Sequence, residues 1–398
     1  MKLRVFAAVL LVAALAATPA LAQSKAPGVT DTEVVIGVST PLSGPAATWG
    51  ATGLAIEAWA KHINEQGGVH GRKLRVILRD DAYNPGRALA NLNEMKDTVF
   101  MNVGLLGSAI LNAAKDFPHD NKFIVVNPYG NPMIWAAQPK DKLRYVFVNY
   151  PDYRDETEFL ISYAANNLGA KKFSIFYQND AFGLPSLEGA KRAMAKLGGK
   201  ASLVGPVPYE VADRELGSHA LKLKESGADA VVIFSTTVHG ANIVKEMAKV
   251  DFRPKLLGSF PVGDHITMFR LAGAAWEGAY FNALVTPLGE PAADRVVDIV
   301  TKIEPKLKGN PGSGLAGAAP MMLAVEGLKR AGRNLTRDSF VEGMESIKDF
   351  TSEGLTGPIT FGPGRRHGLN SVKLMKAENA AQNKISQVTG WQTFPPLF

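Results

Sequence analysis

VVIGVSTPLSGPAATWGATG, residues 34–53, joins an apolar run to a tight turn and then to a helical pattern. The VVIGV segment is apolar at nearly every position, as expected of a strand buried on both faces. Pro41, Gly44 and Pro45 end it abruptly, and a string of small residues follows. Trp49 stands alone among them, just ahead of the helical pattern Gly53–Gln66. In open α/β sheets, ligands bind outside the carboxyl ends of the strands. This turn is therefore read as the rim of a cleft.

The pattern repeats outward from that turn. Strands are expected at Val34–Ser39, Leu74–Leu78, Val103–Leu106, Phe123–Asn127 and Arg144–Val148. A second series is expected at Phe173–Tyr177, Ala230–Ser235, Lys255–Ser259 and Gly278–Val285. Amphipathic helical stretches separate them, including Ala88–Val99, Glu156–Leu168, Leu187–Leu197, Gly217–Ser226 and Gly240–Val250. Strand–helix alternation of this kind predicts parallel sheets covered by helices. The pattern restarts after Asn149-Tyr150-Pro151, so two α/β units are expected. Further on, Glu290–Lys308, Gly317–Ala331 and Thr336–Ile347 read as helices. The Gly/Pro-rich residues 353–370 read as strands joined by turns, and SVKLMKA and KISQVTGW as closing strands.

Composition narrows the function. Lys2 and Arg4 precede the apolar stretch Val5–Ala17, which closes on Ala20-Leu21-Ala22, the signature of a cleaved export signal over residues 1–22. About 375 residues then remain, a length that suits two domains. The chain has no cysteine, which excludes disulfides, thiolate metal sites and a lipid on an N-terminal Cys. A periplasmic, soluble location is expected. The net charge is +7, two of it within the signal, and no basic block interleaved with aromatics points to nucleic acid.

Candidate chemistry is sparse. GSGLAG at 312–317 matches G-x-G-x-x-G, but it follows a polar loop where a dinucleotide site needs a strand, so it is read as a loose start to a helix. The seven histidines show no metal-ligand spacing. Ser108 lies at a strand-to-helix turn with no base nearby and no G-x-S-x-G around it. It suits a helix cap or a contact to a ligand carboxylate better than a nucleophile. Asp80 or Asp81 is expected to fix its loop and cap the helix beginning near Pro85. No catalysis, metal or cofactor is expected.

The segment GVSTPLSGPAATWGATGLAIEAWAKHINEQGGVHGRKLRVILRDDAYNPGRA resembles the opening of periplasmic substrate-binding proteins of branched-chain amino-acid ABC importers, the leucine-binding-protein-like family. The resemblance rests on the Ser-Gly-Pro loop, the helix ending Ile-Asn-x-x-Gly-Gly-Val, the Gly-Arg-Lys-Leu after it, and Asp-Asp after the next strand. It implies the type I periplasmic binding protein fold: two Rossmann-like lobes with parallel sheets, joined by a three-crossover hinge. Lobe one is expected at 28–149 and 286–368, and lobe two at 150–285 and 369–398. It also implies a monomer that closes on a solute and delivers it to a membrane permease. A ligand-sensing receptor on the same fold is the alternative, and an exported hydrolase a more distant one.

On that resemblance the ligand-binding residues are Trp49, Ser108, Tyr129, Asn131, Phe182 and Phe260, and Thr236 joins them from its place at the carboxyl end of a strand. Trp49 matches the covering aromatic, Ser108 the carboxylate-binding serine, and Tyr129 and Asn131 the loop after the fourth strand. Phe182 matches the second-lobe aromatic. Phe260 stands where the family carries the acid that neutralises a ligand ammonium, with Asp264 nearby at the start of a helix. An unpaired ammonium in a closed cleft is costly. A hydrophobic or aromatic carboxylate is therefore the expected ligand, and an amino acid the second choice.

Overall fold

The structure, a computed structural model, describes residues 26–398. The expected signal, residues 1–22, lies outside them. Among the described residues, no helix is long and apolar enough to cross a membrane.

Two sheets organise the chain. The first contains β1 (Glu33–Thr40), β2 (Lys73–Asp80), β3 (Met101–Val103), β4 (Ile124–Val126) and β5 (Val146–Asn149). The second contains β6 (Lys172–Gln178), β7 (Ser202–Leu203), β8 (Val207–Tyr209), β9 (Ala230–Phe234), β10 (Lys255–Gly258) and β11 (Tyr280–Ala283). Next along the chain come β12 (His367–Leu369), β13 (Ser371–Asn379) and β14 (Lys384–Thr393). The first sheet runs β12-β5-β4-β3-β1-β2; the second runs β14-β13-β11-β10-β9-β6-β7, with β8 also paired to β6. Pairing is parallel throughout the first sheet. In the second sheet only β11–β13 and β13–β14 are antiparallel. Because β12 joins the first sheet and β13 the second, the chain passes between the sheets three times: after β5, after β11 and after β12.

Sequence dictates where strands stop. Register pairs Thr40 with Asp80, so the loops after β1 and β2 leave the sheet together. Strand β3 is Met101–Val103 and meets the expected Val103–Leu106 only at Val103, because Gly104 turns to a φ of +75° and Gly107 to +121°. The helix after β2 is capped by Asn84, whose side chain accepts from Arg87 N–H, and not by Asp80 or Asp81. Those two aspartates hold the preceding loop. Asp80 accepts from Ser43 and Ala82, and Asp81 from Ser39 and Tyr83. Strands β7 and β8 were not expected; each has only two or three residues, too few for a periodic signal. The expected helix Glu290–Lys308 ends at Ile303, where Pro305 follows and the chain tightens into a 3-10 turn. Most of residues 353–370 is turn and isolated bridge, with β12 as the one strand.

GSGLAG lies inside the helix Pro311–Ala331, with no strand leading into it. Its last glycine has a packing reason. A Cβ on Gly317 would fall 2.2 Å from the Thr52 carbonyl oxygen, so the helices Ala47–Glu65 and Pro311–Ala331 cross at backbone contact. That contact fixes the helix carrying Trp49 against the first sheet.

One apolar cluster runs through both halves. It joins Val35, Leu111 and Tyr129 to Tyr150, Tyr153, Phe182, Phe234 and Phe260. Each large apolar side chain buried this way contributes about 1.5–3 kcal/mol.

Candidate functional site

Six loops at the carboxyl ends of parallel strands converge between the sheets. Those after β1, β3 and β4 bring Trp49, Ser108 and Tyr129; those after β6, β9 and β10 bring Phe182, Thr236 and Phe260. Trp49, Ser108, Tyr129, Phe182 and Thr236 line one pocket, with Tyr83, Tyr150, Tyr153 and Pro261. Its open volume is about 370 Å³, mouth included. Phe260 lines an adjoining pocket of about 600 Å³, and Trp49 is the wall they share. Asn131 lines neither, but its backbone N–H donates to Ser108 Oγ at 3.0 Å. Its side chain donates to the Ala181 carbonyl of the other half at 3.3 Å.

Trp49 ties the two halves together. Its indole N–H is shared between Thr237 Oγ1 and the Pro261 carbonyl, each 3.2 Å away. Thr237 donates in turn to Pro261 O at 2.9 Å, so its proton is not available to a ligand. The indole meets Tyr129 edge-on, with centroids 6.4 Å apart. From there the rings continue through Tyr129–Tyr150 at 5.7 Å, Tyr150–Phe260 at 4.9 Å and Tyr153–Phe182 at 5.4 Å. Such edge-to-face pairs each add about 0.5–1.5 kcal/mol beyond their buried area. The Tyr129 hydroxyl donates to Ala316 O at 2.6 Å, which fixes the ring from behind.

Tyr83 reaches the pocket from a strained loop. Ala82 and Tyr83 both hold positive φ, +50° and +61°. Non-glycine residues rarely occupy that region, and Asp81 maintains it by accepting from Tyr83 N–H at 2.9 Å. Burial pushes the Asp81 carboxyl up to about 6 despite its bond from Ser39.

No side chain lining the smaller pocket is charged. Carboxyls stand behind it: Asp81 and Asp180 accept from the N–H groups of the lining residues Tyr83 and Phe182 at 2.9 and 2.8 Å, and Glu156 and Asp264 lie further round. Glu156 is fully buried under Phe260. Its Oε1 accepts from Phe260 N–H at 2.5 Å and from Asn282 Nδ2 at 3.2 Å, while Oε2 has no partner. Burial pushes its pKa up to about 8, so near pH 7 it is largely protonated and uncharged. Asp264 lines the larger pocket and caps the helix His265–Ala272 as expected, accepting from Thr267 N and Oγ1 at 3.2 and 2.8 Å. Burial raises its pKa as well.

Thr236 belongs to a buried polar network. Its hydroxyl meets His239 Nδ1 at 2.7 Å, and His239 Nε2 meets the Asp213 carbonyl at 3.0 Å. Its backbone N–H donates to the Tyr209 hydroxyl at 3.1 Å. Tyr83, Tyr150, Tyr153, Glu156 and His239 were not among the expected site residues. Tyr150 and Tyr153 flank Pro151 at the seam between the two strand series, and that position was the signal to find them. Glu156 and His239 lie within helices and carry no local mark of burial.

Among the described residues no group of three or more His, Cys, Asp or Glu is placed to hold a metal ion.

Residues 33–382 match the model of a family described as periplasmic binding protein. A Leu/Ile/Val-binding protein homolog 3 from Brucella melitensis is 24% identical over 266 residues, 66% of this chain and 70% of the relative. An amino acid binding protein from Pseudomonas aeruginosa is 24% identical over 268 residues, 65% of this chain and 67% of that protein. Among solved structures, a fatty acid ABC transporter substrate-binding protein from Thermomonospora curvata superposes with a TM-score of 0.82 at 22% identity, over 93% of this chain and 95% of that one. A branched-chain amino acid ABC transporter protein from Thermus thermophilus with bound valine gives 0.80 at 20% identity, over 92% and 98%.

Proposed function

The chain belongs to the periplasmic binding protein family, in its leucine-binding-protein-like branch, and on that premise we propose that it is the exported solute-binding component of an ABC importer. Its ligand is a small hydrophobic or aromatic carboxylate, held between residues 28–149 with 286–368 and residues 150–285 with 369–398. The two lobes close on it and present it to a membrane permease.

One observation carries the choice of ligand: the pocket has six aromatic rings and no charged side chain. An α-amino acid entering it leaves its ammonium without a carboxylate partner, at a cost of several kcal/mol. Glu156 does not supply one, because it is sealed behind Phe260 and largely protonated near pH 7. Ser108 suits the carboxylate: its oxygen accepts from Asn131 N–H, its hydroxyl lies beside that of Tyr153, and a ligand carboxylate in the pocket is the stronger acceptor for its proton. Trp49, Tyr129 and Phe182 surround an apolar body.

The neighbours leave the cargo open. One is described as serving a fatty acid transporter and the other holds valine, on the same fold. The lining is what supports the carboxylate. Thermal melts against benzoate, phenylpropenoate, leucine and phenylalanine test it, because a ligand that binds only the folded state raises the melting temperature. The aromatic acids raise it and leucine does not. Stabilisation by leucine alone would contradict the assignment.

A further inference from the structure

The hydrogen bonds around Thr236 fix where its proton sits. His239 Nε2 lies 3.0 Å from the Asp213 carbonyl oxygen. A carbonyl oxygen only accepts, so Nε2 bears the ring proton of the neutral imidazole and Nδ1 is bare. Burial lowers the His239 pKa and keeps the ring neutral near pH 7. Thr236 Oγ1 lies 2.7 Å from that bare Nδ1, so the threonine hydroxyl donates to the histidine. The surroundings agree. Tyr209 accepts from Thr236 N–H at 3.1 Å and donates to Gln178 Oε1 at 3.0 Å. Gln178 Nε2 donates to Asp180 at 2.7 Å, which sets the amide orientation. The Tyr209 ring stacks on His239 with centroids 4.6 Å apart, holding the imidazole in plane.

Thr236 lines the pocket, so what it offers there is oxygen lone pairs and a methyl group. On the opposite wall Ser108 has the reverse sense. It accepts from Asn131 N–H, and its proton lies between the Tyr153 hydroxyl and whatever acceptor enters the pocket.

We infer that His239 is a positioning residue that makes Thr236 a hydrogen-bond acceptor, so that the pocket selects carboxylates carrying a hydroxyl group at the end remote from the carboxylate. This inference rests on the carboxylate reading proposed above. An ammonium also donates, but one hydroxyl lone pair does not offset the burial of a charge. A ligand hydroxyl pairs with Thr236 without that cost, and a ligand lacking it leaves the threonine oxygen without a partner on that side.

Calorimetric titration with phenylpropenoate and 4-hydroxyphenylpropenoate tests it. The unsubstituted protein binds the hydroxylated compound about three- to tenfold more tightly, the ratio one neutral hydrogen bond supplies. Thr236→Val removes that preference while phenylpropenoate binding persists. His239→Phe keeps a ring against Tyr209 and frees the Thr236 proton, and the preference falls here too. Equal binding of the two compounds, or a preference that survives Thr236→Val, overturns this inference alone. Binding of neither overturns the carboxylate reading and this inference with it. The histidine is read separately by nitrogen NMR of the imidazole, which shows a bare Nδ1 and a protonated Nε2. A protonated Nδ1 overturns the assignment whatever the ligand results.

Discussion

The two sheets place their pocket residues in pairs. The strand order β4-β3-β1-β2 of the first corresponds to β10-β9-β6-β7 of the second. Trp49 thus corresponds to Phe182, Ser108 to Thr236, and Tyr129 to Phe260. The members of each pair do different work. Trp49 reaches across to the other half through its indole N–H, whereas Phe182 packs on Phe234 and Tyr153 beside it. Ser108 accepts from Asn131 N–H beside the Tyr153 hydroxyl, and Thr236 gives its own proton to His239. Tyr129 is anchored by its hydroxyl, while Phe260 is anchored by its backbone N–H on Glu156. The same topology presents a donating wall from one half and an accepting, apolar wall from the other.

Replacing the aromatic pair gives the largest expected contrast. Trp49→Ala removes ring area and both bridging hydrogen bonds, and affinity falls by roughly 100-fold; Phe182→Ala costs about tenfold. Titration of both variants with one ligand checks this, and equal losses would break the asymmetry. The hydroxyl pair comes next. Ser108→Ala weakens a carboxylate ligand by roughly tenfold and its amide by much less, because a hydrogen bond to a charged group is the stronger one. Equal losses would remove Ser108 from the carboxylate role.

Closure is tested away from the pocket's ring cluster. A Cβ on Gly312 would meet Asp264 Cγ at 2.5 Å, across the seam between the halves. Gly312→Ala therefore opposes the closed arrangement, with ligand binding about fivefold weaker and a larger radius of gyration in solution scattering. Unchanged scattering and affinity would show that the seam has room to give.

The last effect is electrostatic and bears on stability, with the smallest consequence for ligand affinity. Glu156 has its folded-state pKa raised from 4.5 to about 8. The folded protein thus holds a proton that the unfolded chain releases. This contribution to stability is complete below about pH 4.5 and is lost as pH rises to about 8. Glu156→Gln removes the dependence, so its melting temperature falls less than that of the parent between pH 5 and 8. Parallel melting curves would place the Glu156 proton elsewhere.

Much of this was legible in the sequence where local rules dominate. Uninterrupted apolar runs such as VVIGV and AVVIF predicted buried parallel strands, and the turn after the first of them predicted a cleft rim. Strand-end residues converge because parallel strands all present their carboxyl ends on one side. What stayed hidden depends on tertiary contact. Glu156 reads as an ordinary first-turn helix acid, and only packing shows it buried under Phe260. His239 reads as a lone helical histidine, and only the approach of Asp213 and Thr236 fixes its proton. Tyr83 enters the pocket through two positive-φ residues that no periodicity signals. Phe260 lines the adjoining pocket that shares Trp49, and packs on Tyr150 and Tyr153 of the smaller one, a division between two pockets that strand-end position does not reveal.

The central claim is that a charge-free aromatic pocket takes a carboxylate without an ammonium. Calorimetric titration of phenylpropenoate against phenylalanine tests it most directly, since both carry a phenyl ring and a carboxylate while phenylalanine adds the ammonium. The account predicts binding of phenylpropenoate at least about tenfold tighter, in line with the cost of burying an unpaired charge. Tighter binding of phenylalanine, or tight leucine binding with no response to aromatic acids, would contradict it.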